Sequence, residues 1–318
     1  MISIAMATYN GEKYIQEQLD SILRQNITDW ELIICDDCSK DATLCILQKY
    51  SSKDARIKIY KNEVNLGFSK NFEKAIKLCK GEYIALADQD DIWLPNHLEV
   101  LLNLIGSHDL AWSCALKMNA NGVVTNDYVW NPGSFMHFVS INLLYYYIVR
   151  GNSFAGNSML IRKSFLDKKN AFPIPSGVYH DEWLFFVSCF FNGMIWNNQA
   201  IITYRRCHDS NVTGIPLKSK NAFTYVLTHV KDARQRMRKA YRRLELLKEY
   251  RSRFNKESET KQLWDDVSAI MQPLYSWQLY KRFYGLKKFK KCYSDIYVNE
   301  NSIKKKIQRY VAYIFGII

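Results

Sequence analysis

The sequence predicts an α/β fold: a mainly parallel sheet with flanking helices, followed by a basic, mainly helical region. Three observations carry that prediction. Short apolar runs alternate with longer amphipathic stretches through the first hundred residues. Polar, Gly-bearing or acidic clusters follow the apolar runs directly. Charge is also divided sharply along the 318-residue chain, whose formal net charge is +13. Residues 218–318 hold 24 Lys and Arg against 9 Asp and Glu, whereas residues 1–217 hold 20 against 22.

Taken in order, residues 3–7 read as a strand and 12–25 as a helix, with Ile15, Leu19, Ile22 and Leu23 apolar at helical spacing. Residues 30–35 are the next strand and 40–50 the next helix. Residues 56–61, 68–79 and 83–87 follow as strand, helix and strand. Strands of this length alternating with helices of ten or more residues imply right-handed crossovers and a parallel sheet. Such sheets bind ligands beyond the carboxyl ends of their strands. From 110 to about 214 the pattern is less regular and rich in Tyr, Trp, Phe and Asn, as in Tyr145-Tyr146-Tyr147 and Trp196-Asn197-Asn198. Side chains with flat apolar faces and polar tips suit either a sugar site or ordinary core. From Ala222 the chain reads as helical, with 230–253 rich in Lys, Arg, Leu and Glu.

A chain that is 48% hydrophobic can bury a sizeable core. Met1 opens straight into the first strand, so no secretion signal is expected. No apolar stretch matches a membrane helix; the nearest, 135–149, carries His137, Ser140 and Asn142. The eight scattered cysteines read as reduced thiols of a cytosolic protein. Cys35-Asp36-Asp37-Cys38 has redox-pair spacing, but two carboxylates between the thiols oppose a lowered thiol pKa, so packing is the expected role.

The run Ile84-Ala85-Leu86-Ala87 ends in Asp88-Gln89-Asp90-Asp91. Like charges this close repel unless a cation screens them. Residues i and i+2 of an extended chain point the same way, so Asp88 and Asp90 can converge on one object. Mg²⁺ or Mn²⁺ is the economical object, with its open side left for phosphates. The other reading is an acidic turn capping a helix that begins near Pro95. Asp36-Asp37 likewise follows a strand, where a carboxylate can accept from a base N–H or a ribose hydroxyl. The cap of the helix beyond suits Ser39 or Asp41 better and leaves Asp37 free.

Four segments in register, Ser3-Ile4-Ala5-Met6-Ala7-Thr8-Tyr9-Asn10, Asp36-Asp37-Cys38-Ser39, Asn65-Leu66-Gly67 and Asp88-Gln89-Asp90-Asp91, resemble the ordered signatures of family-2 glycosyltransferases. The nearest flavour is the bacterial rhamnosyltransferase-like group that builds surface polysaccharides. The resemblance covers residues 1 to about 214 and implies a GT-A fold. It divides the chain into a nucleotide-sugar-binding half (1–110), an acceptor-binding half (111–216) and the basic helical region (217–318). Thr8, Tyr9 and Asn10 match the first nucleotide-binding segment, with Glu12 beside them, and Asp37 matches the carboxylate that reads the base. Lys70 falls near the cationic position that meets base or diphosphate. Asp88 and Asp90 match the metal-holding DxD motif, with Asp91 an extra carboxylate behind them. His180-Asp181-Glu182-Trp183 resembles the acidic motif whose carboxylate is the catalytic base; Asp181 fits that role and Glu182 is its rival. Tyr204-Arg205-Arg206-Cys207-His208 resembles the family's Tyr-Arg-x-His closing segment with one extra residue. His208 there completes the metal site or touches diphosphate.

The function so implied is metal-dependent, inverting transfer from a dTDP- or UDP-sugar, of rhamnose or a hexose, to a hydroxyl of a lipid-linked surface polysaccharide. The cofactor is Mn²⁺ or Mg²⁺. The basic region implies an anionic membrane surface as partner, and so a peripheral position on the inner face of the cytoplasmic membrane. Residues 307–318, rich in Tyr, Ile, Val and Phe, read as an interfacial anchor. Rival classes fit less well. A nicotinamide enzyme needs a Gly-rich turn after the first strand, where this chain has Thr8-Tyr9-Asn10-Gly11-Glu12. A nucleotidyltransferase needs a Gly-rich basic loop there. A nucleic-acid-binding protein leaves the strand-end carboxylates unexplained, since they repel phosphate.

Overall fold

A computed structural model describes residues 1–129, 155–191 and 193–208. Its centre is β1 (Ile2–Thr8), buried at every position. An apolar strand without polar alternation needs cover on both faces. It is paired in parallel on one side with β2 (Trp30–Asp36) and on the other with β4 (Tyr83–Ala87). Beyond β2 lies β3 (Ile57–Lys61), also parallel. The crossovers are α1 (Ile15–Leu23), α2 (Thr43–Ser51) and α3 (Phe68–Leu78). The predicted apolar face of α1 holds: Ile15, Leu19 and Ile22 are buried, while Leu23 is exposed.

The second half is more regular than its sequence suggests. After the short β5 (Ile92–Trp93) and α4 (His97–Ile105) come β6 (Leu110–Asn119) and β7 (Val124–Tyr128). A 3₁₀ turn, Gly156–Ser158, leads into β8 (Met159–Arg162) and α5 (Lys163–Lys168). Then come α6 (His180–Phe190) and β9 (Met194–Cys207). The sheet order is β3-β2-β1-β4-β8-β6-β9-β5, with β7 on β6. β8 is antiparallel to both neighbours, and β6 and β9 run parallel with a bulge near Cys114. The architecture is the expected mainly parallel sheet with flanking helices. Helix α4 begins at His97 behind Asn96, so the acidic cluster does not cap it.

The basic region from 217 onward, the 135–149 stretch, Tyr145–Tyr147 and the 307–318 segment lie outside the described residues. Among the described residues no helix is long and apolar enough to cross a membrane. The seven described cysteines are free thiols, and burial pushes Cys35 up to about 11, as suits a packing thiol.

One core side chain makes the fold acid-sensitive. The His97 ring stacks on Trp93, with centroids 3.8 Å apart, and its Nδ1 lies 3.2 Å from the Ile202 carbonyl. Burial pushes its pKa down to about 3. The unfolded chain takes up that proton below about 6.5 and the folded one does not until about 3. Stability from this group is therefore full above 6.5 and lost as pH falls toward 3. The slope is about 1.4 kcal/mol per pH unit. His97→Gln is expected to flatten urea-derived stability against pH between 6 and 4 by about that slope. An unchanged slope would remove His97 from the account.

Candidate donor and metal site

The carboxyl ends of β1, β2 and β4 open into a cleft of about 1090 Å³. Every residue expected at the site except Lys70 lines it.

Beyond β1 the chain turns sharply at Asn10, whose φ of 48° is left-handed. Its side-chain oxygen accepts from Lys40 N–H at 2.8 Å, and its own N–H donates to Ser39 Oγ at 2.9 Å. Glu12 accepts from Ala42 N–H at 2.7 Å, so it serves the start of α2. Asp41 accepts from Thr43 N–H at 3.0 Å, but the N-cap position itself is Ala42, one residue beyond the expected Asp41. Thr8 is buried with its hydroxyl on Asp36, at 3.0 Å. Tyr9 is 46% exposed at the cleft mouth. Gln89, the residue between the two DxD carboxylates, accepts from Tyr9 N–H at 2.9 Å and donates to Tyr9 O at 3.1 Å. That amide clamps the loop after β1 to the acidic loop.

Asp37 is less free than its sequence suggested. Its carboxylate accepts from Asn62 Nδ2 at 2.7 Å, Leu66 N–H at 2.8 Å and Gly67 N–H at 2.9 Å. It thus holds the Asn65-Leu66-Gly67 turn, where Gly67 has a φ of 78° that favours glycine. Two oxygens offer about four acceptor sites, so a lone pair remains for a ligand.

The acidic loop sorts its three carboxylates. Asp91 is buried and faces inward: it accepts from Arg206 N–H at 2.8 Å and from Asn157 Nδ2. Burial and Asp90 push its pKa up to about 7. Asp88 is held well above the usual carboxylate range by burial, then by Asp91 and Asp90. Asp90 Oδ2 lies 2.8 Å from His208 Nε2. The i, i+2 relation thus leaves Asp88 and Asp90 to the cleft and Asp91 to the core.

Across the cleft, Asp181 opens α6 and accepts from Glu182 N–H at 2.7 Å and from the Gly156 N–H. Burial pushes it up to about 6. Gly156 must be small: a Cβ there would sit 3.1 Å from both Asp181 Cβ and His180 Nε2. His180 stacks on Phe72, centroids 3.7 Å apart, and burial lowers it to about 3, so it stays neutral.

The donors present fit a hard divalent cation. Asp88 and Asp90 supply oxygen, His208 supplies an imidazole already against Asp90, and the pKa of Asp88 is raised by burial first and by the Asp91 and Asp90 carboxylates next, with Arg205 opposing them. Among the described residues no three such side chains already stand at ligating spacing. Mg²⁺-type sites meet that condition, since they take one or two carboxylates and complete their shell with water and substrate phosphates.

Lys70 departs from expectation. Its ammonium donates to Ile174 O and Glu73, both at 2.9 Å, and fastens α3 to the segment before α6. Its neighbours Gly67, Phe68 and Asn71 line the cleft, and Lys70 does not. Three contributors went unread in the sequence: Gln89, Gly156 and Arg206. Arg206-Cys207-His208 does present an Arg-x-His spacing, so the apparent extra residue vanishes if Arg206 rather than Arg205 is the matching arginine.

A mainly parallel sheet flanked by helices, with a cleft at its strand ends that paired carboxylates and a further recessed carboxylate line, is an α/β architecture of GT-A type. The profile of glycosyl transferase family 2 matches residues 3–167, and the chain belongs to that family. It is 35% identical over 127 residues to the putative teichuronic acid biosynthesis glycosyltransferase TuaG of Bacillus subtilis, covering 40% of this chain and 49% of TuaG. It is 36% identical over 112 residues to WfgD of Escherichia coli, covering 35% and 44%. WfgD is a UDP-Glc:alpha-D-GlcNAc-diphosphoundecaprenol beta-1,3-glucosyltransferase. The chain thus spans about half the length of these curated relatives. S. aureus TarS 1–349 with UDP-GlcNAc shares the fold, with a TM-score of 0.54 at 20% identity over 93% of this chain and 88% of that one.

Proposed function

We propose that the chain is a metal-dependent, inverting glycosyltransferase that moves rhamnose or a hexose from a dTDP- or UDP-sugar to a hydroxyl of a lipid-linked surface polysaccharide. The observation that carries this reading is one cleft holding Asp88, the Asp90–His208 pair and, opposite them, a carboxylate raised to about 6. Thr8, Tyr9, Asn10 and Asp37 receive the nucleoside. Asp88, Asp90 and His208 hold Mn²⁺ or Mg²⁺, which when bound supplies Lewis acidity toward the leaving diphosphate. Asp181 takes the proton of the acceptor hydroxyl as that oxygen displaces the nucleotide in line. Its raised pKa suits a base near neutral pH, since it is still largely ionised there. Glu12 supports the donor loop through α2. The lipid-linked acceptor has support in the name of WfgD.

The deciding experiment is a panel of nucleotide sugars scored by thermal shift with and without Mn²⁺. A dTDP- or UDP-sugar is expected to stabilise the protein only when the metal is present. Stabilisation by none of them would remove the reading.

The membrane side of the proposal rests on charge. Residues 218–318 carry 24 basic against 9 acidic side chains, and each Lys or Arg near anionic headgroups contributes roughly 1 kcal/mol. The full chain is expected to bind vesicles containing anionic lipid and to bind neutral ones weakly. Salt at 1 M shortens the Debye length to roughly 3 Å, so partial release is expected, with residues 307–318 retaining the rest. Equal binding to neutral and anionic vesicles, or to neither, would count against it.

A further inference from the structure

We infer that Arg206 is a positioning residue that braces Asp90 and His208, the pair proposed to hold the divalent cation. The inference deepens the proposed metal site and rests on that reading. Arg206 is only 1% exposed. A guanidinium leaves water at tolerable cost only when its donors are matched. Here Nε donates to the Asp90 carbonyl at 2.8 Å, Nη2 to Glu17 Oε2 at 2.9 Å and Nη1 to the Ala120 carbonyl at 3.3 Å. The residue's own N–H donates to Asp91 Oδ1 at 2.8 Å.

The guanidinium also lies 4.5 Å from the centroid of the Tyr14 ring, and that ring meets the His208 imidazole at 4.9 Å between centroids. One buried side chain therefore fixes the backbone of Asp90 and, through Tyr14, supports the ring that meets the Asp90 carboxylate. It ties together four segments far apart in sequence: the start of α1, the acidic loop, the turn after β6 and the end of β9. A lysine offers a point charge in place of a planar fork and cannot serve three separated acceptors in that way.

The test measures Mn²⁺ affinity directly, from the electron paramagnetic resonance signal of free Mn²⁺, alone and with UDP. The unsubstituted chain, Arg206→Gln, Arg206→Lys and Glu17→Gln are compared, with thermal melts of each. Loss of a partner that orients metal ligands typically weakens metal binding 10–100-fold. That range is expected for Arg206→Gln, with a smaller loss for Arg206→Lys. A purely structural arginine would lower the melting temperature and leave the Mn²⁺ affinity of the folded protein unchanged, which would overturn the proposal. If neither Arg206 variant folds, Glu17→Gln decides, because that carboxylate is 50% exposed: weaker Mn²⁺ binding supports the brace and equal binding overturns it. Absence of Mn²⁺ binding by the unsubstituted chain removes the metal reading, and the proposal with it. Normal binding there and in every variant removes the proposal alone.

Discussion

Asp181→Asn is expected to lower turnover by about two orders of magnitude or more, the range for a lost general base. The amide keeps the shape of the carboxylate and can still accept from the Glu182 and Gly156 N–H groups, so the start of α6 should persist. What it loses is proton affinity. The sign of the pH dependence follows from burial, which lifts Asp181 to about 6. The base works only when deprotonated. The rate should therefore fall about tenfold per pH unit below 6 and level off above it. The variant should lack that limb. Donor affinity should survive, because the role proposed for Asp181 is toward the acceptor hydroxyl. If donor affinity collapses while bound substrate still turns over, Asp181 belongs to the donor site and Glu182 becomes the base.

Asp90→Asn should be comparably severe for a different reason. The substitution removes one of the acidic loop's two cleft-facing carboxylates and weakens the hold on His208, which sits 2.8 Å away. Lewis-acid stabilisation of a leaving diphosphate is worth several kcal/mol, so a loss of at least about two orders of magnitude is expected. Treatment with EDTA should have the same effect on the unsubstituted protein, reversed by Mn²⁺ or Mg²⁺. The fold should be intact, or slightly more stable without metal, because one member of a crowded acidic cluster has been neutralised. Full activity in EDTA, or in the Asn variant, would sink the metal site.

The two substitutions separate the halves of the cleft. Asp90 is tied through Arg206 to α1 and β9, and Asp181 to the 3₁₀ turn before β8. Their side chains share no partner in the hydrogen bonds described above.

Much of the first hundred residues was legible along the chain. Apolar runs of strand length, each closed by a polar cluster, identify β1 to β4 within a residue or two. They also place Thr8, Asp37 and Asp88 beyond strand ends, since in a parallel sheet the order of strand, turn and helix determines which end a residue occupies. The sheet beyond residue 110 was not legible. β6 and β9 are about eighty residues apart and pair in parallel, and β8 enters antiparallel between β4 and β6. Such pairing leaves no periodic mark in either segment alone.

By itself, then, the sequence determined the alternating α/β framework, the family resemblance and the identity of the acids at strand ends, because these depend on local pattern. The tertiary structure decided which acid does what. Three aspartates in four residues look alike in a sequence. Asn157 and the Arg206 N–H draw Asp91 into the core, while His208 engages Asp90 and Asp88 is left facing the cleft. It decided also that Lys70 fastens a helix rather than lining the cleft, and that an arginine 116 residues from Asp90 braces its backbone. The physical reason is common to these cases. A charged group's role is set by what replaces the water it loses, and those partners arrive from distant segments only when the chain has folded.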